Sequence, residues 1–178
     1  LSEPIHYSSL SDVADRIREG RVSPVELTEA MLARIASVDG QLLSYATLMT
    51  ESAREAALEA EQEIRKGCYR GPLHGVPVAV KDLCFTAGTR TMGGLGVLRD
   101  FVPGHDATVV RKLREAGAVI LGKLNLTEGA LSGYHRDFPI PVNPWGEPLW
   151  AGISSSGSGV ETSAGPCFAS VGPYTADP

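Results

Sequence analysis

Two stretches of this chain carry residue types that could do chemistry together. The first is residues 151–165, AGISSSGSGVETSAG, where Ser154, Ser155 and Ser156 stand consecutively among glycines and lead into an apolar run over residues 166–171. A Gly/Ser-rich turn before a buried segment can be a linker, a phosphate cradle or a turn that presents hydroxyls. A linker would continue as polar, low-complexity chain, and this stretch does not. A phosphate loop needs Gly-x-x-x-x-Gly-Lys-Ser/Thr, but the last lysine of the chain is Lys123. What remains is a turn presenting hydroxyls, and a serine hydroxyl is a poor nucleophile until a base takes its proton.

The second stretch, GVPVAVKDL, offers that base. Lys81 directly follows the apolar residues 76–80, with Asp82 beside it. A lysine at the end of a buried strand is poorly solvated, and desolvation lowers the pKa of an amine, as a lysine base requires. The same run also fits a lysine that snorkels to solvent or pairs with Asp82. The serines in turn fit a tight turn capping a helix that starts near Gly159. A Ser–His pair is the weaker alternative, because His6, His74, His105 and His135 lie in no local motif. Gly93-Gly94-Leu95-Gly96 does not match G-x-G-x-x-G and reads as a turn.

The elements that must position these residues follow from periodicity. Leu10, Val13, Ala14 and Ile17 recur at helical spacing before Gly20. Ser23-Pro24-Val25-Glu26 is a capping box with proline at the first helical position, and Leu27, Met31, Leu32 and Ile35 give the following helix an apolar stripe that ends at Gly40. Residues 41–49 read as a short strand, and residues 50–66 as a surface helix with a weak stripe. From Gly71 the texture changes. Residues 76–80 are a continuous apolar run, the pattern of a strand covered on both faces, and residues 85–102 are glycine-rich loop. Asp106 is expected to cap a helix running through Val109, Val110, Leu113 and Ala116 to Gly117, before a second buried strand at residues 118–121. Strand, crossover helix and strand make a β-α-β unit. Residues 133–150, with four prolines, read as irregular. The expected fold class is α/β: N-terminal helices over residues 1–67, then a mixed, largely parallel sheet covered by helices over residues 71–178, with no interdomain linker.

Composition narrows the class. The chain has 178 residues, enough for a sizeable core. A formal charge of -5 argues against a direct nucleic-acid face. Cys68, Cys84 and Cys167 are widely spaced with no C-x-x-C, so neither a disulfide framework nor a metal site is expected; free thiols point to the cytoplasm. No apolar run approaches the roughly 20 residues of a membrane span, and the N-terminus has neither the charge nor the apolar core of a signal peptide. It also lacks a starting Met, as a trimmed chain would.

Taken together, GPLHGVPVAVKDL, DATVVRKLREAGAVILGKLNLTE, NPW and the Ser/Gly stretch resemble, in that order, the amidase-signature family of amide hydrolases. The resemblance covers nearly the whole chain. It implies a large mixed sheet covered by helices and a Ser-cisSer-Lys triad without cofactor or metal, in which a neutral lysine draws a proton through a middle serine from a nucleophilic serine. Backbone N–H groups then hold the oxyanion. By the same resemblance the lysine is Lys81 and the family's Gly-Gly-Ser-Ser-Gly-Gly-Ser falls on residues 152–158. That makes Ser154 the relay, with Ser155 and Ser156 as alternates, while Asn125 and Glu128 match a structural Gly-Lys-x-Asn-x-x-Glu pattern. Ile153 and Ser156 stand where the family has glycine.

The nucleophile's loop falls on residues 172–178, at Thr175, Ala176, Asp177 and Pro178, and proline offers neither a hydroxyl nor an N–H. The resemblance thus implies the N-terminal part of a single amidase domain, inactive as this chain. Thr-Gly-Gly-Ser can be encoded ACG GGC GGA TCC. Loss of one G gives ACG GCG GAT CC, which reads Thr-Ala-Asp-Pro as residues 175–178 do, though Pro173 and Tyr174 are left over. A frameshift in an otherwise ordinary amidase gene is expected, and nucleotide sequence past the codon for Pro178 that shows no Gly-Gly-Ser in any frame would refute it. The implied partner is a small-molecule amide. Two other roles stay open: a non-catalytic remnant whose strand edges associate, with a homodimer as one outcome, and the glutaminase subunit of a tRNA-dependent amidotransferase.

Overall fold

The computed structural model describes residues 4–131 and 133–172. The two apolar runs become the centre of the sheet. Strands β2 (Pro77–Lys81) and β3 (Val119–Leu124) are buried along their whole lengths and pair in parallel, with Val78 opposite Ile120. On the far side of β3, β1 (Tyr45–Leu48) adds antiparallel, and on the far side of β2, β4 (Ser170–Val171) adds parallel. The result is a four-stranded mixed sheet in the order β1-β3-β2-β4. The expected α/β class and the β-α-β unit are observed, the crossover helix being α4 (Thr108–Glu115).

The N-terminal helices form where their caps are. In α1 (Leu10–Arg18), Ser9 Oγ accepts from Asp12 N at 3.2 Å, and Val13, Ala14 and Ile17 are buried. In α2 (Pro24–Leu42), Ser23 Oγ accepts from Val25 N and Glu26 N at 3.1 and 3.2 Å, satisfying donors that the first helical turn leaves orphaned. Leu27, Met31 and Ile35 carry that helix's stripe into the core, each burial contributing about 1.5–3 kcal/mol. In α3 (Thr50–Arg65) the buried face is Ala53, Ala57 and Ala60. Its stripe looks weak in sequence because methyl groups score low, yet their small size lets the helix pack on both α2 and β3.

The structure corrects several local expectations. Gly40 does not end α2: the helix runs to Leu42 and stops where Leu43 turns left-handed at φ 54°. A single helical glycine costs only about 1 kcal/mol, which the buried stripe outweighs. The strand expected over residues 41–49 shrinks accordingly to β1. Asp106 is not a helix cap. Ala107 holds that position without a side-chain bond, while Asp106 Oδ1 accepts from Ala87 N at 2.7 Å and so ties down the loop before the helix. The second buried strand extends to Leu124 and brings Lys123 into the sheet.

His74 shows how tightly the crossover is packed. Gly117, at φ 77°, lies where a Cβ would come within 2.3 Å of His74 Cδ2. His74 Nδ1 accepts from Arg70 N at 3.0 Å, so its hydrogen is on Nε2, 3.1 Å from Glu63 Oε2. Burial lowers its pKa, and the ring serves as a neutral structural bridge. His105 packs against Phe85, His135 against Phe138 and His6 against Tyr7.

Candidate active site

Lys81 ends β2 with its side chain fully buried. Its stem lies under the exit of β4, where a Cβ on Gly172 would come within 2.6 Å of Lys81 Cβ. Nζ is hydrogen-bonded to Ser154 Oγ at 2.7 Å. Burial pushes the Lys81 amine below its usual range, opposed by the Cys84 thiol nearby. The lysine neither snorkels nor pairs with Asp82. Asp82 opens the turn that follows β2, its carboxylate accepting from Met92 N at 2.9 Å.

Ser154 is also buried, with its N–H donating to Thr127 Oγ1 at 3.1 Å. Its backbone is left-handed, φ 62°, a conformation that costs a serine roughly 1–3 kcal/mol and recurs where geometry serves a site. The cis peptide implied by the resemblance is not found: among the described residues no peptide bond is cis. A cis bond outside proline costs about 2.5–4 kcal/mol, and here the left-handed turn at Ser154 is what aims the hydroxyl at Lys81.

The helix expected near Gly159 begins earlier, as α5 (Ser156–Ala164). Ser155 occupies the cap position without a side-chain capping bond, so the serines are not there as a cap. Ser156 is buried in the first turn beside the Tyr134 phenol. The seat of α5 depends on Gly157. Its N–H donates to Asn125 O at 3.0 Å, and a Cβ there would sit 2.5 Å from that oxygen and 2.7 Å from Ser44 O. Asn125 is structural, its side-chain amide donating to Leu43 O at 2.7 Å and Tyr45 O at 3.3 Å. Glu128 lies half-buried in a short turn, its N–H donating to Gly133 O. Thr175, Ala176, Asp177 and Pro178 lie outside the described residues.

Two buried charged residues escaped the sequence. Lys123 donates to Cys84 O at 2.5 Å and Thr91 Oγ1 at 2.7 Å, and stands 3.7 Å from Asp82 Oδ1. Burial lowers the Lys123 amine and raises the Asp82 carboxyl to about 6, each partly offset by the other. The signal was present as a lysine inside an apolar run, AVILGKL, the pattern that marks Lys81. Glu161, fully buried on α5, gave no comparable signal among ETSAG.

The family model for amidases matches residues 26–177. The chain belongs to the amidase family. This amidase-family chain is 54% identical over 173 residues to the putative amidase AmiD of Mycobacterium tuberculosis, covering 97% of itself and 36% of that protein. It is 43% identical over 169 residues to a glutamyl-tRNA(Gln) amidotransferase subunit of Geobacter sulfurreducens, covering 94% of itself and 35% of that protein. Among solved structures it is similar to the peptide amidase of Stenotrophomonas maltophilia, with a TM-score of 0.83, 37% identity, and coverage of 89% of this chain and 34% of that one. A fatty acid amide hydrolase shares the fold, with a TM-score of 0.88 at 24% identity and coverage of 94% of this chain and 30% of that one. The chain thus spans about a third of the length of these relatives. Among the described residues no helix is long and apolar enough to cross a membrane.

Proposed function

We propose that these residues are the N-terminal part of a single domain that hydrolyses carboxylic amides, with Lys81 as base and Ser154 as relay. The observation that carries this reading is the 2.7 Å contact between two buried groups, Lys81 Nζ and Ser154 Oγ. A neutral amine in that position can take the Ser154 hydroxyl proton as Ser154 takes one from an attacking serine. That serine adds to the amide carbonyl, the proton returns by the same route to the departing amine, and water then releases the acid. The substrate class is a small-molecule amide, in keeping with the family. The attacking serine belongs at position 178. Proline there has no hydroxyl, so a polypeptide of these 178 residues is expected to turn over no amide.

A chimera tests both halves of the reading. Residues 1–172 joined to the part of AmiD that follows the residue aligned with Gly172 supply the serine and the rest of a relative's fold. The chimera is expected to hydrolyse a chromogenic anilide and to lose that activity on Ser154→Ala. A folded chimera without amide hydrolysis, or with full activity after Ser154→Ala, overturns the assignment. Turnover by the 178-residue polypeptide that Lys81→Ala abolishes would overturn its expected inactivity. The kinship to the Geobacter sulfurreducens protein favours one narrower version, in which glutamine is the amide and a second polypeptide uses the ammonia. Ammonia release from glutamine by the chimera, measured beside the anilide, separates the two.

A further inference from the structure

Glu161 is one of the largest fully buried side chains of the molecule, and no cation pairs with it among the described residues. It sits one helical turn after Gly157 on the same face of α5, and both residues meet Ser44, which directly precedes β1. Gly157 packs against Ser44 O, while Glu161 Oε2 lies 3.0 Å from Ser44 Oγ. The Tyr45 hydroxyl donates to Glu161 Oε1.

The hydrogens around Ser44 can be counted. Asp39 Oδ1 accepts from Ser44 N at 2.7 Å and Tyr45 N at 3.3 Å, and lies 2.5 Å from Ser44 Oγ. An oxygen already crowded by two N–H donors has no room for a hydrogen of its own, so the one on that line belongs to Ser44. A hydroxyl has a single hydrogen. With that hydrogen on the shorter, Asp39 line, a full bond between Ser44 Oγ and Glu161 Oε2 needs a hydrogen from Glu161.

We propose that Glu161 is a positioning residue that works as a protonated carboxylic acid, clamping α5, and with it Ser154, onto the β1–β3 edge, and that loss of its proton releases the clamp. The charged and titratable groups facing it agree. Asp39 from α2 is of like sign, and Tyr45 and Cys167 are neutral groups kept so by burial. Arg34 of α2 donates instead to Ala164 O at 3.0 Å, and Lys81 of β2 is engaged with Ser154. Burial, reinforced by Asp39, raises Glu161 from 4.5 to about 7, while the Tyr45 donor opposes the shift. The folded state thus holds a proton that the unfolded chain gives up. The resulting stability is fully present below about 4.5 and is lost as pH rises through about 7. Positioning of Ser154 matters to catalysis only on the amide-hydrolase reading above; the proton itself does not depend on it.

Glu161→Gln is the informative variant, because its amide can donate to Ser44 while its carbonyl accepts from Tyr45. Urea unfolding of the 178-residue chain across the window from about 4.5 to about 7 and just beyond reads the proton directly. The wild-type folding constant is expected to fall on the order of a hundredfold further than that of the Gln variant over this range. Parallel curves overturn the proposal. Should the variant fail to fold, a 13C-carboxyl titration of the wild type decides: a midpoint near 7 supports the clamp, and one near 4.5 overturns it. The side-chain resonances of Lys81, read in the same wild-type titration, should shift with the Glu161 midpoint. A titrating Glu161 that leaves Lys81 unmoved overturns the positioning role. Failure of the amide-hydrolase reading would appear separately, as a chimera without turnover.

Discussion

Lys81→Met, made in the chimera with AmiD, is expected to lower kcat for amide hydrolysis by roughly 10²–10⁴-fold, the usual worth of a positioned base. Methionine keeps the apolar stem that β4 and Gly172 pack against and removes only the amine. The fold should therefore survive the change, and urea unfolding checks that it does. The pH dependence carries a second signature. A lysine base must be neutral, so the rate of the chimera that keeps Lys81 is expected to rise with pH as this amine loses its proton. Because burial depresses this amine, the rise comes below the usual 10.5. Stability follows the same proton in the folded chain. Between the lowered folded value and 10.5 the unfolded chain binds more protons, so stability climbs with pH across that window, and the Met variant loses this climb. A chimera that keeps its rate without the Lys81 amine would remove the base assignment altogether.

The largest stability effect is expected at the other buried lysine. Lys123→Ala should lower the unfolding free energy by about 3–5 kcal/mol, the range for breaking a buried ion pair from one side. Three groups each lose one partner at once: Cys84 O, Thr91 Oγ1 and the Asp82 carboxylate. The variant also leaves a cavity, so Lys123→Met is the cleaner comparison, filling the stem's volume without the charge. Asp82 titrates at about 6 even with Lys123 present. In the Met variant its carboxyl can escape the uncompensated charge by taking a proton. The cost of Lys123→Met is thus smaller below about 6 than above it, as urea midpoints on either side would show. Equal costs at both pH values would mean that Asp82 does not depend on Lys123.

These two lysines mark how far sequence reaches here. Each follows or interrupts an apolar run, and each run is a strand buried on both faces, so that burial of both amines was legible in principle. The partner was not. Lys81 sits beside Asp82 in sequence and bonds Ser154, while Asp82 serves Lys123 of β3. Folding separates neighbours in the chain and joins residues far apart in it. Local signals with local causes held. Ser23 and Pro24 start α2, the 76–80 run is the central strand, and 93–96 is a turn. Signals whose meaning depends on remote packing did not: Gly40 fails to stop a helix anchored by its core face, and Asp106 takes the N–H of Ala87 rather than one in the first turn of its own helix. The order of motifs along the chain was enough to identify the family and to single out Lys81 and Ser154. Their 2.7 Å meeting, the left-handed turn that aims Ser154, and the proton that Glu161 must carry exist only once α5 docks on the sheet. Hydrogen bonds and desolvation act across space, and the sequence by itself records only order.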